Sequence, residues 1–488
     1  MTLRFFNTLT KEKEEFVPLR GKVVRIYSCG PTTYDFAHIG NIRAYTFADI
    51  LRRYLCFKGF DVIQIMNLTD VDDKTIKRSQ QEKVSLKELT EKYNKAFFED
   101  IKKMNILPAS VYPKATEHIK EMVGIIKKLL EQGIAYKGAD SSIYYNIKKF
   151  PTYGKLAHID LKNLKAGARV KQDEYTKDEL QDFALWKAWD KADGNVFWET
   201  EIGKGRPGWH IECSAMSTKY LGHTFDIHTG GVDLIFPHHQ NEIAQSESST
   251  GSKFVNYWLH NEHLMVEGKK MSKSLKNFYT LRDLEAKKID LRAFRYLLLS
   301  AHYRKQLNFT FEGLEAAKNS LDRLDDFLRN LKKYLGPEKK DEVSILIKKE
   351  KENFENFMDD DLNTPEALAS IFEFVKTINK VTENQKLSEK NLSEIRKMFE
   401  GFDKVLGLDL GKEKSIEGLE EKLIELVKEL TGEAVTGNSE SLMRELIRLR
   451  EAYRKKKDFK KSDLMRNRLK EIGIVLEDEN GKTSWKAA

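Results

Sequence analysis

Four residues of the chain carry side chains that bind metal ions well. They are Cys29, Cys213, His238 and Glu242. His238 and Glu242 are four residues apart, and a helix that starts at Pro237 would place their imidazole and carboxylate on one face. Two thiolates, one imidazole and one carboxylate would complete a tetrahedral zinc site. The same residues could instead be two small buried side chains and a surface pair.

A second group lies where the first predicted strand gives way to the first predicted helix. His38, Gly40 and Asn41 fall at the start of that helix. Free backbone N–H groups and the helix dipole favour an anion at this position, and a glycine allows a nucleotide to approach closely. The spacing therefore fits a phosphate site, but it also fits an ordinary capped helix start with a surface histidine.

A third group is the lysine-rich turn at 267–274, which contains Gly268, Lys270 and Lys273. Lysine ammonium groups can offset the charge that develops on a leaving pyrophosphate, and a flexible loop can supply them as the reaction proceeds. Taken alone, such a turn is also typical of solvated surface.

The elements around these groups predict an α/β fold. Residues 23–27 read as a strand, apolar residues recur at helical spacing from Asn41 onward, and a second β-rich run lies at 62–66. Strand, helix and strand within about 45 residues form a βαβ unit. This unit is the basis of a doubly wound, Rossmann-type parallel sheet.

A chain of 488 residues is long enough for several domains. We predict a Rossmann-type catalytic domain at 1–137 and 209–280, an irregular inserted segment at 138–208, an all-α helical bundle at 281–430 and a small basic module at 436–488. Residues 441–488 hold 14 Lys and Arg against 8 Asp and Glu. This tail is a candidate contact for nucleic acid, although lysine-rich helices are often just solvated.

Composition excludes several classes of protein. No run approaches the roughly 18 apolar residues of a membrane span, and no signal-peptide pattern follows Met1. Three cysteines are too few for a disulfide framework. We therefore expect a cytoplasmic protein with reduced thiols and no membrane association.

The second and third groups together resemble the paired ATP motifs of class I aminoacyl-tRNA synthetases. His-Ile-Gly-Asn at 38–41 matches the first motif, and Lys-Met-Ser-Lys-Ser at 270–274 matches the second. In that family the first motif cradles ATP, which binds with Mg²⁺, and the second stabilises the transition state of adenylation. The resemblance implies an ATP contact at Gly40 and catalytic and ATP-binding roles for His38, Asn41, Lys270 and Lys273.

Further segments closely resemble the cysteinyl-tRNA synthetase family over nearly the whole chain, most densely at 27–74 and 182–310. The resemblance implies one zinc ion per chain, bound by Cys29, Cys213, His238 and Glu242. Its pocket-lining positions fall on Thr69, Trp209 and Asp233, and Asp233 would pair with the substrate ammonium group. One departure is Gln240, at a position where the family usually has Glu.

The same resemblance implies an aminoacyl-tRNA ligase that activates L-cysteine with ATP and transfers it to the 3′-terminal adenosine of tRNA(Cys). A pocket that relies on shape cannot reject serine by more than roughly a hundredfold. Zinc binds a thiolate far better than an alcohol, so zinc bound to the substrate sulfur would explain the choice of cysteine. We expect the enzyme to be a monomer.

In the basic tail, five positions resemble the anticodon-contacting set of the family. They are Arg454, Phe459, Asp463, Arg466 and Asp478. Aromatic stacking and hydrogen bonds to base edges are the means by which proteins read single-stranded loops.

Three other functions stay open at this point. A cysteine ligase of the same fold could pass the adenylate to an amino-sugar acceptor, which needs no long basic tail. A non-catalytic tRNA-binding relative of a synthetase would have lost motif residues that this chain retains. A plain nucleotidyltransferase would need neither the four metal donors nor the tail.

Overall fold

The structure is a computed structural model that describes residues 2–159, 169–170, 181–271, 277–337, 342–411, 418–479 and 482–487. No helix within these ranges is long and apolar enough to cross a membrane. The chain divides into two compact units, Met1–Leu410 and Gly411–Ala488.

The strands, in chain order, are β1 (Arg4–Asn7), β2 (Glu12–Glu15), β3 (Val23–Ser28), β4 (Asp61–Met66), β5 (Ala135–Lys137), β6 (Ile143–Tyr145), β7 (Arg169–Val170), β8 (Asp182–Ala188), β9 (Trp198–Thr200), β10 (Gly203–Pro207), β11 (Phe225–Gly231), β12 (Val255–Asn261), β13 (Leu264–Val266), β14 (Lys269–Lys270), β15 (Leu307–Phe309), β16 (Ile474–Glu479) and β17 (Lys482–Ala487). The α-helices are α1 (Ile39–Phe57), α2 (Asp73–Glu82), α3 (Leu86–Lys103), α4 (Ile119–Glu131), α5 (Trp209–Leu221), α6 (Gln240–Thr250), α7 (Leu281–Ala286), α8 (Leu291–Leu299), α9 (Phe311–Asn330), α10 (Glu342–Asp359), α11 (Thr364–Asn384), α12 (Glu389–Leu406), α13 (Glu420–Thr431), α14 (Ser439–Lys455) and α15 (Phe459–Glu471).

A four-stranded parallel sheet lies in the first unit, in the order β12-β11-β3-β4. Helix α1 joins β3 to β4, as the sequence pattern predicts. The chain passes from β3 to β4 on one side, whereas the neighbour of β3 on the other side, β11, comes much later. The strand order therefore switches between β3 and β11, and ligands of open parallel sheets bind at the carboxyl ends of strands at such a switch. The predicted α/β class is confirmed.

Helix α1 begins at a reciprocal cap. The Nδ1 atom of His38 accepts a hydrogen bond from the backbone N–H of Asn41 (3.1 Å), and Asn41 Oδ1 accepts one from the backbone N–H of His38 (3.1 Å). This capping box satisfies two backbone donors at the helix start. The start of α1 is thus an ordinary capped helix as far as the backbone is concerned. The cap fixes the side chains of His38 and Asn41 in place.

Residues 135–207 contain a mixed, mainly antiparallel sheet, whereas an irregular segment is predicted for 138–208. The strand order is β5-β6-β8-β10-β9, and β7 pairs with β8. The prediction of irregular structure was wrong because β5, β6 and β9 have only three residues each, too few to show a period. Their pairing is also distant in sequence, with Ile143 opposite Trp186.

Helices α7 to α12 share one apolar core with α1 and β3. A buried ion-pair group joins α8 to α1, because Asp49 Oδ2 accepts hydrogen bonds from Arg53 Nε (2.8 Å) and Arg295 Nη2 (2.5 Å). Removing one partner of a buried pair typically costs about 3–5 kcal/mol. The predicted all-α region also contains one strand, β15, which pairs with β13.

The second unit consists of α13, α14, α15 and the hairpin of β16 and β17. Leu423 and Val427 of α13 belong to the same apolar cluster as Leu446 of α14 and Met465 of α15. The helical bundle predicted from the sequence ends at 430, so α13 would be its last helix. The packing groups this helix with the basic tail instead, because its apolar stripe is buried against α14 and α15.

Glu350 on α10 is a buried carboxyl group whose Oε1 atom accepts a hydrogen bond from Ser370 Oγ (2.8 Å). Burial raises the pKa of Glu350 from 4.5 to about 7. Between these two values the folded state keeps a proton that the unfolded state has lost. The contribution of Glu350 to the stability of the folded state is therefore present at low pH and is lost as the pH rises through its folded pKa.

We expect Glu350→Gln to stabilise the protein at alkaline pH, since the amide has the same shape and no charge to bury. The gain in the free energy of unfolding over the wild type should grow by about 2 kcal/mol between about pH 5.5 and about pH 8. Thermal unfolding midpoints of the two proteins across this range measure the effect. A gain that does not change with pH would contradict the assigned protonation of Glu350.

Candidate metal and nucleotide site

A cavity of about 430 Å³ opens at the carboxyl ends of β3, β11 and β12, beside the first turn of α1. At the strand ends its lining includes Cys29, Gly30, Gly230, Gly231 and Asn261. The cavity therefore lies at the switch point of the parallel sheet, which is where this architecture binds ligands.

The four predicted metal donors converge beside this cavity, which Cys29 lines. Cys29 follows β3 and Cys213 lies in α5, while the other two are His238 and Glu242. Their ligand atoms all lie within 4.8 Å of one another, and three of the four residues are buried. Three separate segments of the chain thus supply one donor group. The assignment of zinc to these residues stays a prediction.

The helix that contains Glu242 does not start at Pro237, where the sequence predicts it. Helix α6 begins at Gln240, and His238 lies in a π-helical turn, Ile235–His239, that contains a non-helical residue, Phe236. His238 Nε2 nevertheless lies 3.0 Å from Glu242 Oε1. The i, i+4 spacing still places the imidazole beside the carboxylate, because the chain keeps turning in the helical sense into α6.

A second set of donors also includes Glu242. The ligand atoms of Cys29, His228, His239 and Glu242 lie within 4.8 Å of one another. His228 Nε2 is 2.9 Å from Glu242 Oε2, and His239 Nε2 is 3.2 Å from Cys29 Sγ. The sequence analysis gave neither histidine a role. The sequence offered a signal for His239, which directly follows the predicted ligand His238.

Burial controls the protonation of both donor sets. It raises the pKa of Cys213 well above its usual range and that of Glu242 to about 8. It lowers the pKa of His238 to about 4 and that of His228 to about 3. The group is therefore neutral near neutral pH when no cation is bound. A divalent ion reverses this balance, because it stabilises the thiolates and the carboxylate, and this mixture of S, N and O donors suits zinc.

The predicted amino-acid pocket is partly open to the cavity. Trp209 lines the cavity and stacks on the His238 ring with centroids 4.1 Å apart. Asp233 also lines it, and a Cβ on Gly231 would lie only 2.3 Å from Asp233 Oδ1, so a side chain at Gly231 would displace the Asp233 carboxylate. Thr69 is buried instead, and its hydroxyl donates a hydrogen bond to Glu212 Oε2 (3.0 Å). A contact between Thr69 and a substrate stays a prediction.

The residues of the first ATP motif lie together on the cavity wall. His38, Gly40 and Asn41 all line it, at the start of a helix of 19 residues. A Cβ on Gly40 would lie 2.9 Å from Met271 Cε and 3.0 Å from the His38 ring. The absence of a side chain at Gly40 therefore lets the Met271 methyl group and the His38 ring pack closely against the first helical turn.

The lysine-rich turn is described only in part. Glu267 (φ 48°) and Gly268 (φ 72°) form the turn between β13 and β14. Lys270 in β14 is exposed and lines the cavity, whereas Lys273 lies outside the described residues. Lys74 at the start of α2 is a further cation on the cavity wall that the sequence analysis did not single out.

In the second unit, the five predicted anticodon positions lie on α14, α15 and β16. The structure brings two of them together, because Arg454 Nη1 lies 2.9 Å from Asp478 Oδ1. Phe459 is 58% exposed at the start of α15, and Asp463 and Arg466 are exposed on the same helix. A role for these side chains in binding RNA stays a prediction.

Gln240 has a structural role beside the metal donors. Its Oε1 atom accepts hydrogen bonds from the backbone N–H groups of Leu156 (3.1 Å) and Ala157 (3.4 Å). The position needs an acceptor for these two donors, and Gln supplies one as Glu would. The departure from the usual family residue therefore leaves the donor group unchanged.

Comparison with known protein families covers most of the chain. Residues 15–319 match the family described as tRNA synthetases class I (C) catalytic domain. Residues 353–411 match the DALR domain, and residues 443–485 match the cysteinyl-tRNA ligase anticodon binding domain.

Several relatives are similar over their full length. The cysteine–tRNA ligase of Brachyspira hyodysenteriae is 47% identical over 99% of this chain and 98% of its own length. That of Chlamydia muridarum is 46% identical over 100% of this chain and 99% of its own. The structure of Mycobacterium tuberculosis methionyl-tRNA synthetase in complex with methionyl-adenylate has a TM-score of 0.58 at 14% identity, over 80% of this chain and 90% of that one, which shows a shared fold. The chain belongs to the cysteine–tRNA ligase family of class I tRNA synthetases.

Proposed function

We propose that the chain activates L-cysteine with ATP to cysteinyl-adenylate and transfers the cysteine to the 3′-terminal adenosine of tRNA(Cys). The observation that carries this proposal is the convergence of Cys29, Cys213, His238 and Glu242 at a cavity that also contains the N-terminus of α1. A donor group for a metal and a site for an anion face the same space. The substrate sulfur and the ATP phosphates can therefore be held side by side.

One zinc ion per chain would supply a binding partner for the substrate thiolate that serine cannot use equally well. The donor set with two cysteines is favoured, because it offers zinc two thiolates where the other set offers one, and because the other set leaves the buried Cys213 without a role. Trp209 stacks on His238, and Asp233, which lines the cavity, would pair with the substrate ammonium group.

The first reaction step is attack of the cysteine carboxylate on the α-phosphorus of ATP, with pyrophosphate as the leaving group. His38, Gly40 and Asn41 hold the phosphates at the start of α1. Lys270 and Lys273, together with Mg²⁺, oppose the charge on the departing pyrophosphate. A hydroxyl of the terminal adenosine of tRNA then attacks the adenylate carbonyl, and AMP leaves. The residues act mainly by positioning the reactants.

The second unit would bind the anticodon, and its family match at 443–485 supports this role. An amino-sugar acceptor would leave such a unit without a function. The proposed enzyme is a monomer and acts in the cytoplasm.

The proposed activity is tested by cysteine-dependent pyrophosphate exchange, followed by charging of total tRNA. We expect exchange with serine to be more than about a hundredfold weaker than with cysteine, which exceeds what pocket shape provides. Removal of zinc by a chelator should abolish exchange, and added zinc should restore it. Equal exchange with both amino acids, or full exchange after complete removal of metal, would falsify the proposal.

The two donor sets are separated by the matched variants His238→Gln and His228→Gln. Both histidines are buried and both contact Glu242, so the substitutions have similar structural costs. We expect His238→Gln to lower zinc affinity the more, and His228→Gln to lower it by about tenfold to a hundredfold, as for a partner of a ligand. Zinc content after dialysis and the absorption spectrum of the cobalt-substituted proteins measure this. The reverse order would assign the ion to the set with His228 and His239.

We expect a chain that ends at Leu410 to retain cysteine-dependent pyrophosphate exchange and to lose most tRNA charging. The cut lies before α13, because removal of only 436–488 would expose the apolar stripe of α13 that includes Leu423 and Val427. Exchange and charging of the shortened and complete chains give the comparison. An equal loss of both activities would show that the second unit does not act on tRNA alone.

A further inference from the structure

Arg450 on α14 is a buried cation that the sequence analysis did not single out; it is 2% exposed. Its Nη1 and Nη2 atoms donate hydrogen bonds to Oδ1 (2.6 Å) and Oδ2 (2.8 Å) of Asp478. Nη1 also donates to Thr483 Oγ1 (2.6 Å). Asp478 and Thr483 are opposite each other in the β16–β17 hairpin. The planar guanidinium therefore fastens α14 to both strands, with the geometry that gives arginine–carboxylate pairs their orientation.

The two oxygens of Asp478 are used unequally. Oδ1 receives Arg450, Thr483 Oγ1 (2.8 Å) and Arg454 Nη1 (2.9 Å). Among the described residues, Oδ2 accepts one hydrogen bond, from Arg450. A carboxylate oxygen has about two acceptor sites, so Oδ2 has one left. The Asp478 side chain is 30% exposed, which leaves this acceptor within reach of a partner.

A donor is held next to this acceptor. The Arg454 side chain is 43% exposed, and its Nη1 atom lies 2.9 Å from Asp478 Oδ1. Its guanidinium has further N–H groups to offer. An acceptor and a donor held side by side match the edge of an unpaired base, which presents N–H and lone-pair groups next to each other.

We propose that Arg450 is a positioning residue for anticodon recognition. It holds Asp478 so that Oδ2 accepts a hydrogen bond from an N–H group of one anticodon base, while Arg454 donates to an acceptor on the same base. The inference rests on the proposed function of the second unit. Arg450 acts through Asp478, since it is itself buried. A base with an acceptor facing Oδ2 is rejected, because two acceptors would then be left unpaired.

The test uses the full-length protein with Arg450→Lys, which keeps the charge and removes the two parallel hydrogen bonds. Charging is measured with a tRNA(Cys) transcript and with transcripts substituted singly at each anticodon position. We expect kcat/KM for the unaltered transcript to fall about tenfold or more, mainly through KM. Discrimination against substitutions should shrink at one anticodon position and stay unchanged at the others. Cysteine-dependent pyrophosphate exchange should keep its wild-type rate.

Two further variants separate positioning from general effects. Asp478→Asn leaves an amide oxygen for Arg450 and should lose discrimination at the same anticodon position, and it carries the test alone if thermal unfolding shows that R450K is not folded. Arg448→Ala removes an exposed charge from the same helix, where the Arg448 side chain is 79% exposed. This control should change all transcripts by one common factor.

A uniform loss over all transcripts in R450K and D478N would overturn the inference, because a purely structural role predicts that result. Wild-type discrimination in both variants would also overturn it. Failure of the wild-type protein to charge any tRNA is a different outcome, and that outcome would remove the proposed function itself.

Discussion

Several titratable side chains are buried together at the centre of this site. Cys213, His238 and Glu242 are at most 1% exposed. Burial raises the pKa of Glu242 to about 8 and lowers that of His238 to about 4, so each group favours its neutral form. A cluster made of acceptors and weak acids is stable only when protons or a shared cation satisfy it. The same donor atoms would hold a divalent ion if it replaced those protons, which is the basis of the proposed zinc site.

The parallel sheet positions this buried cluster beside the cavity. Cys29 ends up at the switch point because β3 lies between β4 and β11. The same point receives the first turn of α1, with Gly40 kept free of a side chain. Cys29, one of the four candidate metal donors, and the N-terminus of α1 thereby line one cavity. The second unit has its own apolar core, and the buried Arg450 holds the carboxylate of the partly exposed Asp478.

The parts of the fold that the sequence predicts correctly depend on neighbours within a few residues. The strands on either side of α1 were recognisable because they are short runs of mostly apolar and β-branched residues, and α1 itself because its apolar residues recur at the helical period. The spacing of His38 and Asn41 indicated the cap for the same reason, since both partners lie in one turn. The turn before Lys270 was visible in Gly268. The role of each group came from the resemblance of the motifs to a known family, and not from spacing alone.

Contacts between distant segments decided the rest. Spacing could not show that His228 reaches Glu242, or that the Thr69 hydroxyl binds Glu212. The short strands of residues 135–207 exist only because they pair with one another, and α13 belongs to the basic tail only because its apolar stripe packs there. The sequence alone therefore determined the local elements and the identity of the reactive groups. The tertiary structure decided which of those groups meet, because each meeting depends on the packing of segments that no local period connects.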